Sequence, residues 1–444
     1  MTYFFETYGC QMNSAESAAL ALVCRERGWT VAPNGESADL VLINTCSVRL
    51  TAEQRALGRI ALYASLKKKR RARGQQFALV IAGCMAQRME NTLKEKYPAV
   101  DYVMGTASRS LFPLILEMVE KGEGYPEITG EESPQFSFSS SHLEEGQFRS
   151  FVPIMHGCDN FCSYCIVPYV RGREISRDPQ LIAEEIRLVG ERGVREVTLL
   201  GQNVNAYNWN GLRFAGLLRV AAAAAEKSGV QWLRFLSANP KDFSPETIQV
   251  MAENPAFCRH LHLPVQHGSN RVLAAMNRGY TRERYLALVK EIRSAMPDIS
   301  LSSDILVGFP GETEEDVRET LSLMEEVRFL YAYMYHYNPR EGTAAYALPD
   351  RVSEEVKRER LSRVINLQKK HTTALLKGRI GAREMVLIEG ISRKNADELV
   401  TRTEKDEMAV APGPASMIGS FAEITLSGLR GNTFRAKEAL CPGV

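Results

Sequence analysis

Gly157-Cys158-Asp159-Asn160-Phe161-Cys162-Ser163-Tyr164-Cys165 sets three thiols at CxxxCxxC spacing. Soft thiolates suit iron–sulfur clusters, yet a 4Fe-4S cluster ordinarily takes four of them, so this loop leaves one iron open. An open iron can be chelated by the amino and carboxylate groups of S-adenosylmethionine, which puts the sulfonium against a low-potential electron donor. Homolysis then yields a primary alkyl radical, able to break C–H bonds that acid–base chemistry does not touch. A structural zinc site is the alternative, but zinc ribbons favour paired CxxC knuckles with four local ligands. His156, beside the motif, reads as a packing residue or hydrogen-bond donor and not as a fourth ligand.

Downstream of the loop the pattern alternates. Strands are expected at 197–200, 232–236, 260–265, 300–307 and 330–337, with helices at 179–192, 214–227, 245–253, 282–295 and 313–327. Repeated βα units predict an open or closed parallel barrel whose reactive groups sit at the C-terminal strand ends. Gln202 and Asn203 occupy one such end and are candidate cofactor-binding residues. Asp304 and Gly308 occupy another, in Ser303-Asp304-Ile305-Leu306-Val307-Gly308, where Gly308 and Gly311 either admit a cofactor to the backbone or form the turn. Tyr164 is a candidate to approach the cofactor's adenine, or a packing residue.

Upstream, Phe4-Phe5, 40–43 and 78–82 read as strands around a helix at 14–28, a parallel-sheet α/β pattern. Cys10, Cys46 and Cys84 each follow one of these strands, and loops at one edge of a parallel sheet converge. Three buried cysteines acting as small hydrophobes are the plainer reading; otherwise they hold a second cluster, again one thiolate short. Cys24, Cys258 and Cys441 read as non-ligands. Residues 122–147 carry Glu131-Glu132, Pro134 and Ser139-Ser140-Ser141 with little periodicity and read as a linker. Beyond a long helix at 353–376, short strands such as 384–389 and 421–426 alternate with Gly and Pro turns, as in a small β-barrel. The divisions are therefore 1–121, the linker 122–147, 148–377 and 378–444.

The 444 residues are 45% hydrophobic and 24% charged, with nine cysteines and a net charge of +2. No apolar run approaches the roughly 20 residues of a membrane span, and the N-terminus lacks a basic n-region, so the expected location is cytoplasmic, without membrane attachment. Nine cysteines in a reducing compartment argue for metal or catalysis before disulfides. A charge this small does not announce a nucleic acid. Lys67 to Arg73 reads as a solvated helix end. On the long helix Lys357, Arg358, Arg360, Arg363, Lys369, Lys370, Lys377 and Arg379 outnumber the acids and suit RNA phosphates, whereas the charges beyond Arg379 nearly balance.

With both cysteine sets in view the chain resembles the methylthiotransferase family of radical S-adenosylmethionine enzymes, most closely the bacterial tRNA branch that makes 2-methylthio-N6-isopentenyladenosine. The matching stretches run end to end: Tyr8-Gly9-Cys10-Gln11-Met12-Asn13, Asn44-Thr45-Cys46-Ser47-Val48-Arg49, Gly83-Cys84-Met85-Ala86-Gln87-Arg88, Cys162-Ser163-Tyr164-Cys165-Ile166-Val167-Pro168-Tyr169, Arg171-Gly172-Arg173-Glu174-Ile175-Ser176-Arg177, Leu200-Gly201-Gln202-Asn203-Val204-Asn205 and His262-Leu263-Pro264-Val265-Gln266. Leu50, His267 and Glu341 depart from the family pattern without removing a cluster ligand.

The resemblance implies a multidomain α/β protein: an N-terminal parallel-sheet domain with an auxiliary 4Fe-4S cluster on Cys10, Cys46 and Cys84, a partial TIM barrel with a second on Cys158, Cys162 and Cys165, and a C-terminal β-barrel like the RNA-binding TRAM domain. It implies that one S-adenosylmethionine gives a methyl group and another the radical that takes hydrogen from C2 of adenine, with sulfur arriving through the auxiliary cluster. The implied partners are tRNA carrying isopentenylated adenosine, a reductant such as flavodoxin or ferredoxin, and a sulfur donor. Sister branches act on threonylcarbamoyl-adenosine tRNA or a ribosomal-protein aspartate. A metal-stabilised RNA-binding protein without catalysis is the alternative of another class.

Overall fold

The computed structural model describes every residue except Arg49, 123–145, Asp350, 438–439 and 441–444. The expected linker therefore lies almost wholly outside the described residues, as does Cys441. In chain order the first elements are β1 (Thr2–Thr7), α1 (Gln11–Glu26), β2 (Thr30–Val31), β3 (Leu40–Thr45), α2 (Leu50–Arg71), β4 (Ala78–Gly83), α3 (Cys84–Lys96), β5 (Tyr102–Met104) and α4 (Phe112–Lys121). They build a fully parallel sheet of order β2-β1-β3-β4-β5. Leu40-Val41-Leu42-Ile43 and Ala78-Leu79-Val80-Ile81 are buried throughout, because helices cover both faces of the sheet and leave no solvent side to alternate toward.

The middle of the chain comprises β6 (Arg149–Pro153), β7 (Met155–His156), α5 (Val167–Arg171), β8 (Ile175–Ser176), α6 (Pro179–Glu191), β9 (Glu196–Leu200), β10 (Asn208–Trp209), β11 (Leu212–Arg213), α7 (Phe214–Glu226), β12 (Trp232–Phe235), α8 (Pro245–Glu253), β13 (His260–His262), α9 (Asn270–Ala275), α10 (Arg282–Ala295), β14 (Ser300–Val307), α11 (Glu314–Val327) and β15 (Tyr331–His336). Two parallel sheets, ordered β12-β9-β6 and β13-β14-β15, take the strands in chain sequence, as in an open barrel. The layer between its strands and its covering helices is aliphatic: Leu199, Leu233, Leu261 and Ile305 from strands meet Ile186, Leu218, Ile292 and Leu323 from helices.

α12 (Glu354–Lys377) then leads to β16 (Arg383–Ser392), β17 (Asn395–Thr403), β18 (Met408–Pro412), β19 (Phe421–Thr425), β20 (Gly428–Arg430) and β21 (Thr433–Arg435). These form one mostly antiparallel sheet of order β19-β16-β17-β18-β21-β20. It docks on the barrel through Trp232 and Phe421, whose ring centroids are 4.8 Å apart, and through Glu196, which accepts from both Arg234 and Arg402. Cys258 is buried in this junction beside Trp232 and Leu387. Among the described residues no helix is long and apolar enough to cross a membrane.

The helix end at Lys67 to Arg73 is solvated at Lys68, Lys69, Arg71 and Arg73, with one exception, and the reading of the long helix changes in part. Lys67 is not solvated: it is buried and paired with Asp101, which precedes β5. On the long helix Lys357 and Arg360 are also buried, Arg360 holding Glu312 at 2.8 Å, and Arg363 pairs with Glu314. Part of that basic face is thus spent on packing α12 against α11.

Candidate functional site

The loop after β7 brings Cys158, Cys162 and Cys165 to the wall of one cavity of about 200 Å³ at the C-terminal ends of the barrel strands. Gly157 sits at φ 79°, and a Cβ there would lie 1.9 Å from the carbonyl oxygen of Arg173, so only glycine lets the two backbones pass. Its N–H donates to Gln202 Oε1 at 2.7 Å. Phe161 takes a left-handed φ of 44°, held by Asn277, whose amide donates to the carbonyls of Asn160 and Phe161. Next to it, Arg278 Nη1 donates to Cys162 Sγ at 3.2 Å and Nη2 to Pro264 O.

Of the expected cofactor residues, Tyr164, Gln202 and Asp304 line this cavity. Asp304 lies 3.6 Å from His262. Tyr164 also packs on the apolar group around Phe309 and Tyr337. Asn203 and Gly308 are not in the wall: Asn203 donates to Glu174 and Asp242, and the N–H of Gly308 is taken by Glu312 within a turn that Lys357 covers. Sequence reasoning missed Arg278, His262, Asn239, Ser237 and Gln266, all in the wall. Ser237 and Gln266 adopt φ of 65° and 70°, strain of the kind that collects at functional sites.

Cys10, Cys46 and Cys84 follow β1, β3 and β4, which are neighbours in the sheet. Cys10 caps α1 and Cys84 opens α3, so both thiols lie at positive helix ends. Gly9, at φ 123°, allows the first two loops to touch; a Cβ on it would stand 2.6 Å from that of Cys46. Burial pushes the Cys165 thiol up to about 12 and Cys84 to about 11, the latter against the pull of Arg171. Metal binding would draw these thiols into the thiolate form and release their protons. Among the described residues no three His, Cys, Asp or Glu side chains close on a single-ion site. A four-iron cage instead seats each thiolate on a different iron, which fits two sets of three separated thiols.

The two sets adjoin. Cys84 packs on Ile166 and Val170, which flank and belong to the short α5 that follows Cys165. Cys10 packs near Leu200 and Leu236, at the ends of β9 and β12. Arg171, the last residue of α5, reaches back to Cys84, Asn13 and Glu16. His156 belongs to this junction: it lies 3.4 Å from Arg171, and burial with Arg171 and Arg109 nearby holds it neutral, well below its ordinary range.

Residues 152–324 match the family model described as Radical SAM superfamily, and residues 2–105 the one described as Uncharacterized protein family UPF0004. The tRNA-2-methylthio-N(6)-dimethylallyladenosine synthase of Treponema pallidum subsp. pallidum is 48% identical over 458 residues, covering 98% of this chain and 98% of that protein. The chain belongs to the tRNA-2-methylthio-N(6)-dimethylallyladenosine synthase family. Synthases of the same name from Treponema denticola and Geobacter sulfurreducens are 48% and 44% identical, covering 98% and 96% of this chain and 99% and 94% of their own. Among solved structures this synthase family member is similar in fold to the radical S-adenosylmethionine methyltransferase TsrM from Kitasatospora setae. The TM-score is 0.58 at 16% identity, over 78% of this chain and 74% of that one. As a radical SAM tRNA methylthiotransferase the chain draws on S-adenosylmethionine and iron–sulfur chemistry.

Proposed function

We propose that this chain adds a methylthio group to C2 of N6-isopentenyladenosine beside the anticodon of tRNA, with S-adenosylmethionine as both radical source and methyl donor. The observation that carries the reading is the junction at α5, where two sets of three thiols from separate parts of one chain adjoin. Cys158, Cys162 and Cys165 would hold the 4Fe-4S cluster that meets S-adenosylmethionine; Cys10, Cys46 and Cys84 would hold the one through which sulfur passes. A cluster with one open iron supplies, when bound, the electron that cleaves S-adenosylmethionine and so the radical that removes hydrogen from an aromatic carbon.

The rest is the work of this chain's side chains. Gln202 and Arg278 hold the cysteine loop still. Asp304 and His262 present an acid and an imidazole to the cavity, and Asn239 and Gln266 present amides, a set suited to the amino, carboxylate and ribose groups of the cofactor. Tyr333 stands edge-on to His262, with centroids 5.6 Å apart, and Tyr335 follows two residues further along β15, on the same face of the strand; they are 49% and 44% exposed. Exposed aromatic faces are a surface on which RNA bases stack. A reductant such as flavodoxin or ferredoxin and a separate sulfur donor complete the reaction.

Nucleoside mass analysis of tRNA from a strain lacking the chain tests this. Isopentenyladenosine accumulating without its methylthio group, and restored by the full-length chain, is the expected result; unchanged tRNA rejects the substrate.

A further inference from the structure

Arg171 lies in the barrel half of the chain, yet its buried guanidinium is spent on the N-terminal half. Nε donates to Cys84 Sγ at 3.2 Å, Nη1 to Glu16 Oε1 at 2.6 Å and Nη2 to Asn13 Oδ1 at 2.9 Å. The side chains of Arg171 and Glu16 are 3% and 4% exposed, so water does little to screen either charge. Arg278 makes the matching contact in the other cysteine set, 3.2 Å from Cys162. One charged donor on one sulfur recurs at both places.

The recurrence has an electrostatic meaning. A guanidinium N–H on a ligand sulfur stabilises negative charge there, and reduction of a thiolate-bound cluster adds one negative charge. Such a donor therefore favours the reduced state, and hydrogen bonds to the sulfurs together with net charge are what set cluster potentials. A buried carboxylate held by the same guanidinium acts in the opposite sense.

We propose that Arg171 is a positioning residue that seats the Cys84 thiolate and raises the reduction potential of the cluster on Cys10, Cys46 and Cys84, with Glu16 as its counterweight. This rests on the reading of those three cysteines as cluster ligands. Because Arg171 ends the helix that begins two residues after Cys165, the side chain also fixes the second site relative to the first.

The test uses full-length wild type, R171K, R171Q, E16Q and C84A, each reconstituted without oxygen. Iron and sulfide are counted, and both clusters are titrated by EPR, the first being recognised by its response to S-adenosylmethionine. R171Q is expected to lower the reduced-to-oxidised ratio of the second cluster about tenfold at fixed potential, about 59 mV for a one-electron couple. E16Q is expected to raise it, R171K to stay near wild type, and the first cluster to stay unmoved. Loss of the second cluster in R171Q with retention in R171K also supports the proposal. It is overturned if R171Q and E16Q shift the potential in the same direction or not at all, or if R171K and R171Q behave alike. A different failure is distinguishable: if C84A leaves the iron count of wild type unchanged, the cluster reading of the N-terminal cysteines falls.

Discussion

Arg278 donates through Nη1 to Sγ of Cys162 at 3.2 Å, and its remaining nitrogens hold Pro264 O and the Tyr280 hydroxyl, so one buried side chain ties a loop cysteine to the end of the strand region at Pro264. A charge-assisted hydrogen bond of this kind is worth about 1.5–3 kcal/mol. R278Q is expected to lower iron retention at the Cys158 loop and to cut S-adenosylmethionine cleavage by about tenfold or more. Unchanged iron and cleavage would separate Arg278 from the cluster.

The two cysteine sets should fail differently. C158A is expected to abolish release of 5′-deoxyadenosine. C46A should still release it, yet yield no methylthiolated tRNA, because Cys46, at the end of β3, belongs to the N-terminal set and not to the Cys158 loop. Both products are read by mass spectrometry from one reaction. Equal loss of 5′-deoxyadenosine in the two variants contradicts the division of labour.

Tyr333 and Tyr335 stand half exposed along β15, Tyr333 opposite the cavity-lining Asp304 of β14. Stacking of one base is worth about 1–3 kcal/mol, so Y333A should weaken tRNA binding about tenfold and leave S-adenosylmethionine cleavage without tRNA intact. Filter binding and cleavage assays on the same preparation read the two separately. Equal tRNA affinity in the variant would move the RNA elsewhere.

Most of the architecture was legible, for physical reasons that also explain the gaps. α8 and α10 begin where expected because Ser244 and Thr281 cap them, each accepting a backbone N–H. β14 stands out as eight residues of nearly continuous burial. β2 and β5 are too short to show a period, and β6 opens with Arg149-Ser150, which hides it behind the expected linker. β17 hid because Asn395, Asp397 and Glu398 make its opening residues mostly polar and leave the first three of them exposed, with no apolar alternation to mark the strand. The CxxxCxxC spacing and the position of Cys10, Cys46 and Cys84 after expected strands made the thiols conspicuous, whereas the need for glycine at Gly9 and Gly157 shows only in the fold. Arg171 and Arg278 gave no such sign: an arginine in a string of letters does not reveal which sulfur the fold will carry to it. Asn203 and Gly308 each follow a strand end, yet Asn203 donates to Glu174 and the Gly308 N–H to Glu312, contacts that strand ends alone do not announce.

Docking of the C-terminal sheet should be sensitive to acid. Burial would raise the Glu196 carboxyl, but Arg234 and Arg402 outweigh it and hold it below the usual range; for Asp406, burial is outweighed by His260, Arg234 and Arg402. Because the folded state binds these protons less tightly than the unfolded chain, the stabilisation is complete above the ordinary carboxylate value of about 4 and drains as pH falls through the lower folded value. Thermal unfolding from neutral to acid pH is expected to show the loss. E196Q leaves Arg234 without its carboxylate while Arg402 keeps Glu389 and Asp406; breaking a buried pair costs about 3–5 kcal/mol, so the variant should lower the neutral melting temperature while flattening the acid limb. An E196Q chain that melts like wild type at every pH contradicts this.

The most direct measurement of the whole account is the iron and sulfide content of the full-length chain prepared without oxygen, beside a variant in which Cys158, Cys162 and Cys165 are alanine. About eight irons in the first and about four in the second are the expected values for two separately held four-iron clusters. A wild-type chain that saturates at about four, or a variant that holds none, contradicts it.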